Sequence, residues 1–142
     1  MDKFTAADSI NGKSFDLWVN GLKKAEVLTA QADSEIQTEK LPIAGKLSDE
    51  DMEVGSTGTG TMTFYSVIDD SLIVDINNSF KENKRFTFDL RGVIENKTTG
   101  RTRTIIITDC KINKFSPLAV DITKVLNDTF TFSYSPENCD II

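Results

Sequence analysis

The run Gly55-Ser56-Thr57-Gly58-Thr59-Gly60-Thr61 is where this chain comes nearest to a phosphate-binding loop. Such a loop cradles phosphate oxygens with backbone N–H groups, and it needs a lysine after its last glycine and a helix behind it. Here Thr61 stands at the lysine position, and the residues that follow alternate as a strand does. Nucleotide binding is therefore a poor reading of these glycines, and a mobile loop entering a strand is a better one. A second cluster, Asp49, Glu50, Asp51 and Glu53, offers oxygen ligands of the kind calcium takes. It lacks the alternating spacing and central glycine of an EF-hand loop, so it reads as a solvated charge run. Hydroxyl groups are plentiful, but the chain has no histidine to activate one. That removes the commonest general base and the commonest zinc ligand together. Cys110 and Cys139 lie far apart and show no metal spacing, so they read as two reduced thiols. No catalytic, cofactor-binding or metal-binding residue is expected.

The elements that carry these residues are mostly strands. Phe15, Leu17 and Val19 alternate with Ser14, Asp16 and Trp18 between the turn signals Asn11-Gly12 and Asn20-Gly21. A much longer strand is expected over 23–38. Its even positions carry Leu28, Ala30, Ala32 and Ile36, and its odd positions Thr29, Gln31, Asp33, Glu35 and Gln37. At ~3.3 Å per residue it spans roughly 50 Å, several times the length usual in small domains. Residues 39–58 read as a long charged connection with apolar anchors at Leu41, Ile43, Leu47 and Met52. Loops of that length are uncommon in compact domains unless functional or mobile.

A Thr-rich strand follows, with Thr59, Thr61, Thr63 and Tyr65 on one face and Gly60, Met62 and Phe64 on the other. Asp69-Asp70-Ser71 supplies N-cap chemistry for a helix over 70–82 with Leu72, Ile73, Ile76 and Phe80 on one stripe. Phe86, Phe88, Leu90 and Ile94 then alternate up to the turn at Asn96-Lys97-Thr98-Thr99-Gly100. The returning strand, 101–115, contains Ile105-Ile106-Ile107, apolar on both faces, and Ser116-Pro117 breaks it. Residues 118–127 fit a short strand or a loop. Thr129 to Ser135 forms a last strand with Phe130, Phe132 and Tyr134 inward. The expected fold is mainly β, with six or seven strands and one α-helix in a single domain over 1–142. A curved β-sandwich or partly open barrel is its expected form.

Charge narrows the partners. Lys and Arg number 16 against 22 Asp and Glu, a net charge of -6 over 142 residues. Tight nucleic-acid binding needs clustered cations, so an acidic chain suits a surface that nucleic acid slides past. No apolar run is long enough to cross a bilayer, and the first residues lack the apolar core of a signal peptide. Synthesis in the cytoplasm and no membrane anchor are expected.

Taken in order, Ile10-Asn11-Gly12-Lys13, Asn20-Gly21 before the long charged strand, Gly58-Thr59-Gly60-Thr61-Met62-Thr63 ahead of the helix, and the closing Phe130-Thr131-Phe132 resemble the tail tube proteins of contractile phage tails. The nearest resemblance is to the tube proteins of PBSX-like prophages and R-type bacteriocins of Gram-positive bacteria. It implies a ring-forming, non-catalytic subunit without cofactor. Hexameric rings would stack into a hollow tube inside a sheath, ending at baseplate and terminator proteins, in a virion tail or a released phage-tail-like particle. It further implies that Thr29, Gln31, Asp33, Glu35, Gln37, Thr59, Thr61 and Thr63 face the lumen, where DNA would pass without sticking. Leu28, Ala30, Ile36, Met62 and Phe64 would pack beneath. Leu41, Pro42, Ile43, Asp49, Glu50, Asp51, Met52 and Glu53 would reach an adjacent subunit or ring, and the helix would lie outside toward the sheath. Two other readings are an inner tube ring of the type VI secretion kind, and a small-ligand-binding β-barrel. The latter needs a large apolar cavity.

Overall fold

The computed structural model describes residues 14–142. The motif at Ile10 to Lys13, with its Asn11-Gly12 turn, lies outside the described residues. Among the described residues, eight strands and one α-helix follow in order. They are β1 (Phe15–Val19), β2 (Leu22–Lys23), β3 (Val27–Leu41), β4 (Glu50–Tyr65), α1 (Ser71–Lys81), β5 (Thr87–Asn96), β6 (Arg101–Phe115), β7 (Asn127–Tyr134) and β8 (Cys139–Ile141). Pairing is antiparallel in the order β2-β1-β5-β6-β7-β4-β3, and β8 pairs with β6.

Local chemistry explains the turns. Asn20 and Gly21 both have positive φ, 51° and 81°, the backbone a tight hairpin with the right twist requires. Asn96 Oδ1 accepts from the backbone N–H of Thr98 and Thr99, which closes the β5–β6 turn. Asp70 caps α1 by accepting from the Leu72 N–H at 3.1 Å.

The sheet curls. β2 and β3 stand at opposite ends of the strand order, yet only residues 24–26 join them. That tether reaches at most ~14 Å, whereas seven flat strands at ~4.8 Å spacing would spread ~29 Å. The two flanks must bend toward each other, although no ladder joins them among the described residues. Apolar side chains fill the concave side. Leu17 and Val19 of β1, Met62 and Phe64 of β4, Phe88 and Leu90 of β5, and Phe130 and Phe132 of β7 are all buried there. Ile76 of α1 is fully buried in the same core, so the helix covers this side of the sheet. A run of ring contacts, Phe80 to Phe115 to Phe130 to Phe64 at 5.5–6.0 Å, continues the covering to the helix end.

Several expectations are corrected here. The strand expected over 23–38 is two strands, because β2 pairs with β1 and β3 with β4, with a turn between them. The connection expected over 39–58 is mostly ladder: β3 continues through Leu41, β4 begins at Glu50, and only residues 42–49 turn. Alternation is hard to read there because the bulge at Gln37/Thr38 breaks it. Residues 118–126 form no strand. The acidic tail adds β8 beside Ile105–Ile107, which leaves Ile105 and Ile106 half-buried.

Candidate functional site

A polar sheet face, rather than a pocket, is the distinctive surface of this chain. Residues directly opposed in an antiparallel ladder point to the same face. Thr29 opposes Thr63, Gln31 opposes Thr61, and Asp33 opposes Thr59. Glu35 and Gln37 continue the row opposite Thr57 and Gly55. All eight residues singled out from the sequence therefore share one side. β7 extends it, since Thr59, Thr61 and Thr63 oppose Ser133, Thr131 and Thr129. The sequence reading does not include those three, although the period of two that turns Phe130, Phe132 and Tyr134 inward places them on this face. Side chains along this face bond to one another. Gln37 Nε2 donates to Thr57 Oγ1 at 3.1 Å, Gln31 Nε2 to Asp33 at 3.2 Å, and the Thr63 and Thr129 hydroxyls lie 3.3 Å apart.

The opposite face explains the glycines. A Cβ on Gly60 would meet the Phe132 ring at 2.3 Å and the Gln31 carbonyl oxygen at 2.5 Å. A Cβ on Gly58 would meet the Tyr134 ring at 2.6 Å. These glycines sit inside a strand and make room for the β7 rings. That replaces the expectation of a mobile glycine loop before the strand. With Gly58 absent a side chain, Tyr134 reaches across β4, and its hydroxyl lies 2.8 Å from Ser34 Oγ on β3.

Not every expected packing partner is covered. Met62 and Phe64 are buried as expected, but Leu28 is 44% and Ile36 60% exposed. Every residue of β3 after Val27 is exposed. β3 is the last strand of the sheet, and among the described residues nothing lies over it.

Beyond Gly58, β4 has lost β7 and pairs with β3 alone, so the two strands project as an arm. The arm holds the residues expected to reach a neighbour. Leu41 ends β3, Pro42, Ile43 and Asp49 lie in the turn, and Glu50, Asp51, Met52 and Glu53 open β4. Glu39 opposes Met52 and Leu41 opposes Glu50, while Lys40 opposes Asp51 and bonds it at 3.4 Å. The bulge leaves Val54 without an opposite residue and so puts Met52 on the side that carries polar residues farther along, where Leu41 already lies in phase with Gln37. Leu47 at the tip is fully exposed.

The start of β3, at the end away from the arm, is pinned by charge. Lys24 Nζ lies 2.7 Å from Glu26 and 3.1 Å from Asp70, the helix cap. Burial opposes the Lys24 charge, but its hydrogen bonds to both carboxylates prevail and raise its pKa. Burial likewise opposes the Glu26 charge, and the Lys24 bond overrides it, leaving Glu26 below the usual carboxylate range. Cys110 is buried, and burial with the nearby Asp89 and Asp109 charges pushes its thiol up to about 12. A thiol held neutral is a poor nucleophile. A depression of about 280 Å³ lined by Asn20, Thr87, Phe88, Asp89, Thr108 and Asp109 is open and polar, unlike an enclosing ligand pocket.

Comparison with known proteins decides the family of the chain. Residues 2–139 match the family described as "Phage tail tube protein" (DUF2001). The chain belongs to this family. Two relatives from Bacillus subtilis (strain 168), the phage-like element PBSX protein XkdM and the uncharacterized protein YqbM, are each 24% identical over 131 residues, covering 91% of this chain and 88% of theirs. The fold recurs in the sheath/tube terminator of an extracellular contractile injection system (TM-score 0.77, 13% identity, 97% of this chain and 99% of that one). It recurs also in the cap of the anti-feeding prophage (TM-score 0.75, 12% identity, 99% and 95%). Hcp1 from Flavobacterium johnsoniae is less similar, at TM-score 0.53 and 16% identity over 84% and 89%. The protein is a structural subunit of a tail tube, in a family of tail components. No helix among its described residues is long and apolar enough to cross a membrane.

Proposed function

We propose that this tail tube subunit closes into hexameric rings that stack into a conduit, with the polar face of β3, β4 and β7 lining the lumen. The observation that carries this reading is the unbroken register of Thr29, Gln31, Asp33, Glu35 and Gln37 with the β4 and β7 hydroxyls, on a strand that one chain leaves exposed. An exposed strand of 15 residues is an open template for pairing. Closing a ring of subunits removes that edge, as closing a barrel does. Small hydroxyls and carboxylates then give the channel a wall that lets DNA or other cargo pass without adhesion. The arm, residues 38–54, reaches an adjacent ring through Leu41, Pro42, Ile43, Leu47 and Met52. The helix lies on the far side of the core, outside the tube and toward a sheath. The subunit is non-catalytic and works with sheath, baseplate and terminator proteins in a virion tail or a released particle. Negative-stain imaging of purified protein over a concentration series tests the reading. Rings or tubes of uniform width are expected, and monomers at every concentration would sink it.

A further inference from the structure

Charge is not spread evenly over the polar face. At its β3 flank stand Asp33 and Glu35, exposed, with Glu39 farther along the strand. At its β6 flank stand Lys111, opposite Ser133, and Lys114, opposite Thr131. Arg85 joins them, with its Nη2 bonded to Asn113 Oδ1 and, at 2.9 Å, to Ser133 Oγ. Through the β7 and β4 registers, Lys111 lies in the row of Asp33 and Lys114 in the row of Gln31. The carboxylates Asp89 and Asp109 lie farther back, at the β5–β6 bulge, where Asp89 accepts from the Asp109 N–H at 3.0 Å.

Both flanks also end in open backbone. β3 has no ladder on its outer side among the described residues. β6 outlasts its β5 partner: pairing stops at Lys111 opposite Thr87, followed by a bond from the Ile112 N–H to the Phe86 carbonyl. Asn113–Phe115 therefore have a free edge on that side among the described residues. One chain thus carries an acidic open edge at β3 and, on the opposite flank of the same face, an open β6 stretch that presents Lys114, with Lys111 in the paired stretch beside it. Two different, complementary surfaces make a head-to-tail contact, the kind that generates rings.

We propose that the acidic β3 edge of one copy seats against the basic β6 edge of the next, with Asp33 and Glu35 set against Lys111 and Lys114. This rests on the ring reading and deepens it by naming the lateral contact and its direction around the ring. It also bears on the wall. Lysines that would hold DNA phosphates are neutralised at each subunit boundary, which keeps the wall non-adhesive despite the basic flank.

Two charge-reversed proteins test it. The first carries Asp33→Lys and Glu35→Lys, the second Lys111→Glu and Lys114→Glu. Each alone opposes like charges at every boundary and is expected to raise the assembly threshold concentration about 10- to 100-fold. A 1:1 mixture restores opposite charges at every boundary of an alternating, even-numbered ring. It is expected to assemble within a few-fold of the wild-type threshold, and native mass spectrometry should find the two variants in equal number. Variants that assemble alone like wild type, or a mixture of folded variants that fails to recover, overturn the contact. Folding is checked by circular dichroism. Should a variant not fold, a salt series on the wild type decides. Going from ~0.1 M to ~1 M shortens the screening length from ~10 Å to ~3 Å, so the threshold must rise, and an unchanged threshold overturns the contact. A wild type that never assembles refutes the ring reading itself, which separates the two failures.

Discussion

Replacing Gly60 by alanine adds one methyl group at the tightest point of the sheet. The new Cβ would stand 2.3 Å from Phe132 Cζ and 2.5 Å from the Gln31 carbonyl oxygen. Ordinary contacts between carbon atoms lie near ~3.5–4.0 Å, so both neighbours must retreat by an ångström or more. Neither moves freely. Phe132 is 1% exposed and packs edge-on against Phe88 at 5.6 Å, and the Gln31 carbonyl belongs to the β3–β4 ladder. Overpacking a core costs about 1–3 kcal/mol, and the double obstruction places Gly60→Ala near the top, at about 3 kcal/mol. For a domain of this size that lowers the melting temperature by about 10 °C. Gly58→Ala displaces the Tyr134 ring alone and strains its bond to Ser34, for about 2 kcal/mol. Gly55→Ala meets nothing within 4 Å, so it is neutral or stabilising by up to about 1 kcal/mol through the unfolded chain. Urea unfolding of the unassembled subunit at low concentration reads all three. Adding Phe132→Leu to Gly60→Ala removes part of the obstruction, so the double variant should cost at least about 1 kcal/mol less than the two single costs added together. A Gly60→Ala protein within ~0.5 kcal/mol of Gly55→Ala, or strict additivity with Phe132→Leu, would refute the packing of β7 rings over these glycines.

Four further outcomes are expected. Thr61→Leu alters an exposed position on the polar face, so unfolding of the isolated subunit should shift by no more than about 0.5 kcal/mol; a large loss would show the faces are reversed. Replacing turn residues 43–48 by Asn-Gly keeps the β3–β4 ladder, so the subunit should fold normally while rings stack poorly in electron micrographs; normal tubes would remove the arm from stacking. Lys24→Met leaves the Asp70 side chain, 4% exposed, without its cation, and should cost about 2–4 kcal/mol in urea unfolding. The pH dependence follows from Glu26, whose pKa is lowered in the fold. Its contribution is present above the unfolded value of ~4.3 and is lost as pH falls through the folded value. Wild type should therefore lose stability below about pH 4.5, and Lys24→Met should lose less over that interval.

Much of this was legible in the sequence because it rests on local rules. Alternation over β1, β4, β5 and β7 needs only the pleat of a strand, and it separated Phe130, Phe132 and Tyr134 from the residues between them. The helix over Ser71–Lys81 followed from the Asp70 cap and its apolar stripe. The eight polar-face residues came from period alone, and the ladders align them as that period implies. Failures came where the period is broken or a residue's role lies in a distant partner. The bulges at Val27/Thr29 and Gln37/Thr38 disrupt alternation, so the start of β3 and the strands of the arm were misjudged. Gly58 and Gly60 looked like loop residues because the rings that need their space lie more than 70 positions away.

By itself, then, the sequence determined which residues alternate, where the helix begins, and which family the chain resembles, because each depends on neighbours along the chain. Only the tertiary structure decided that β3 is the bare outermost strand and that the short 24–26 link bends the sheet. It also decided that Lys111 and Lys114 share a face with Asp33 and Glu35 from the opposite flank. Those facts depend on strand order, and strand order is set by long-range pairing that no local pattern encodes.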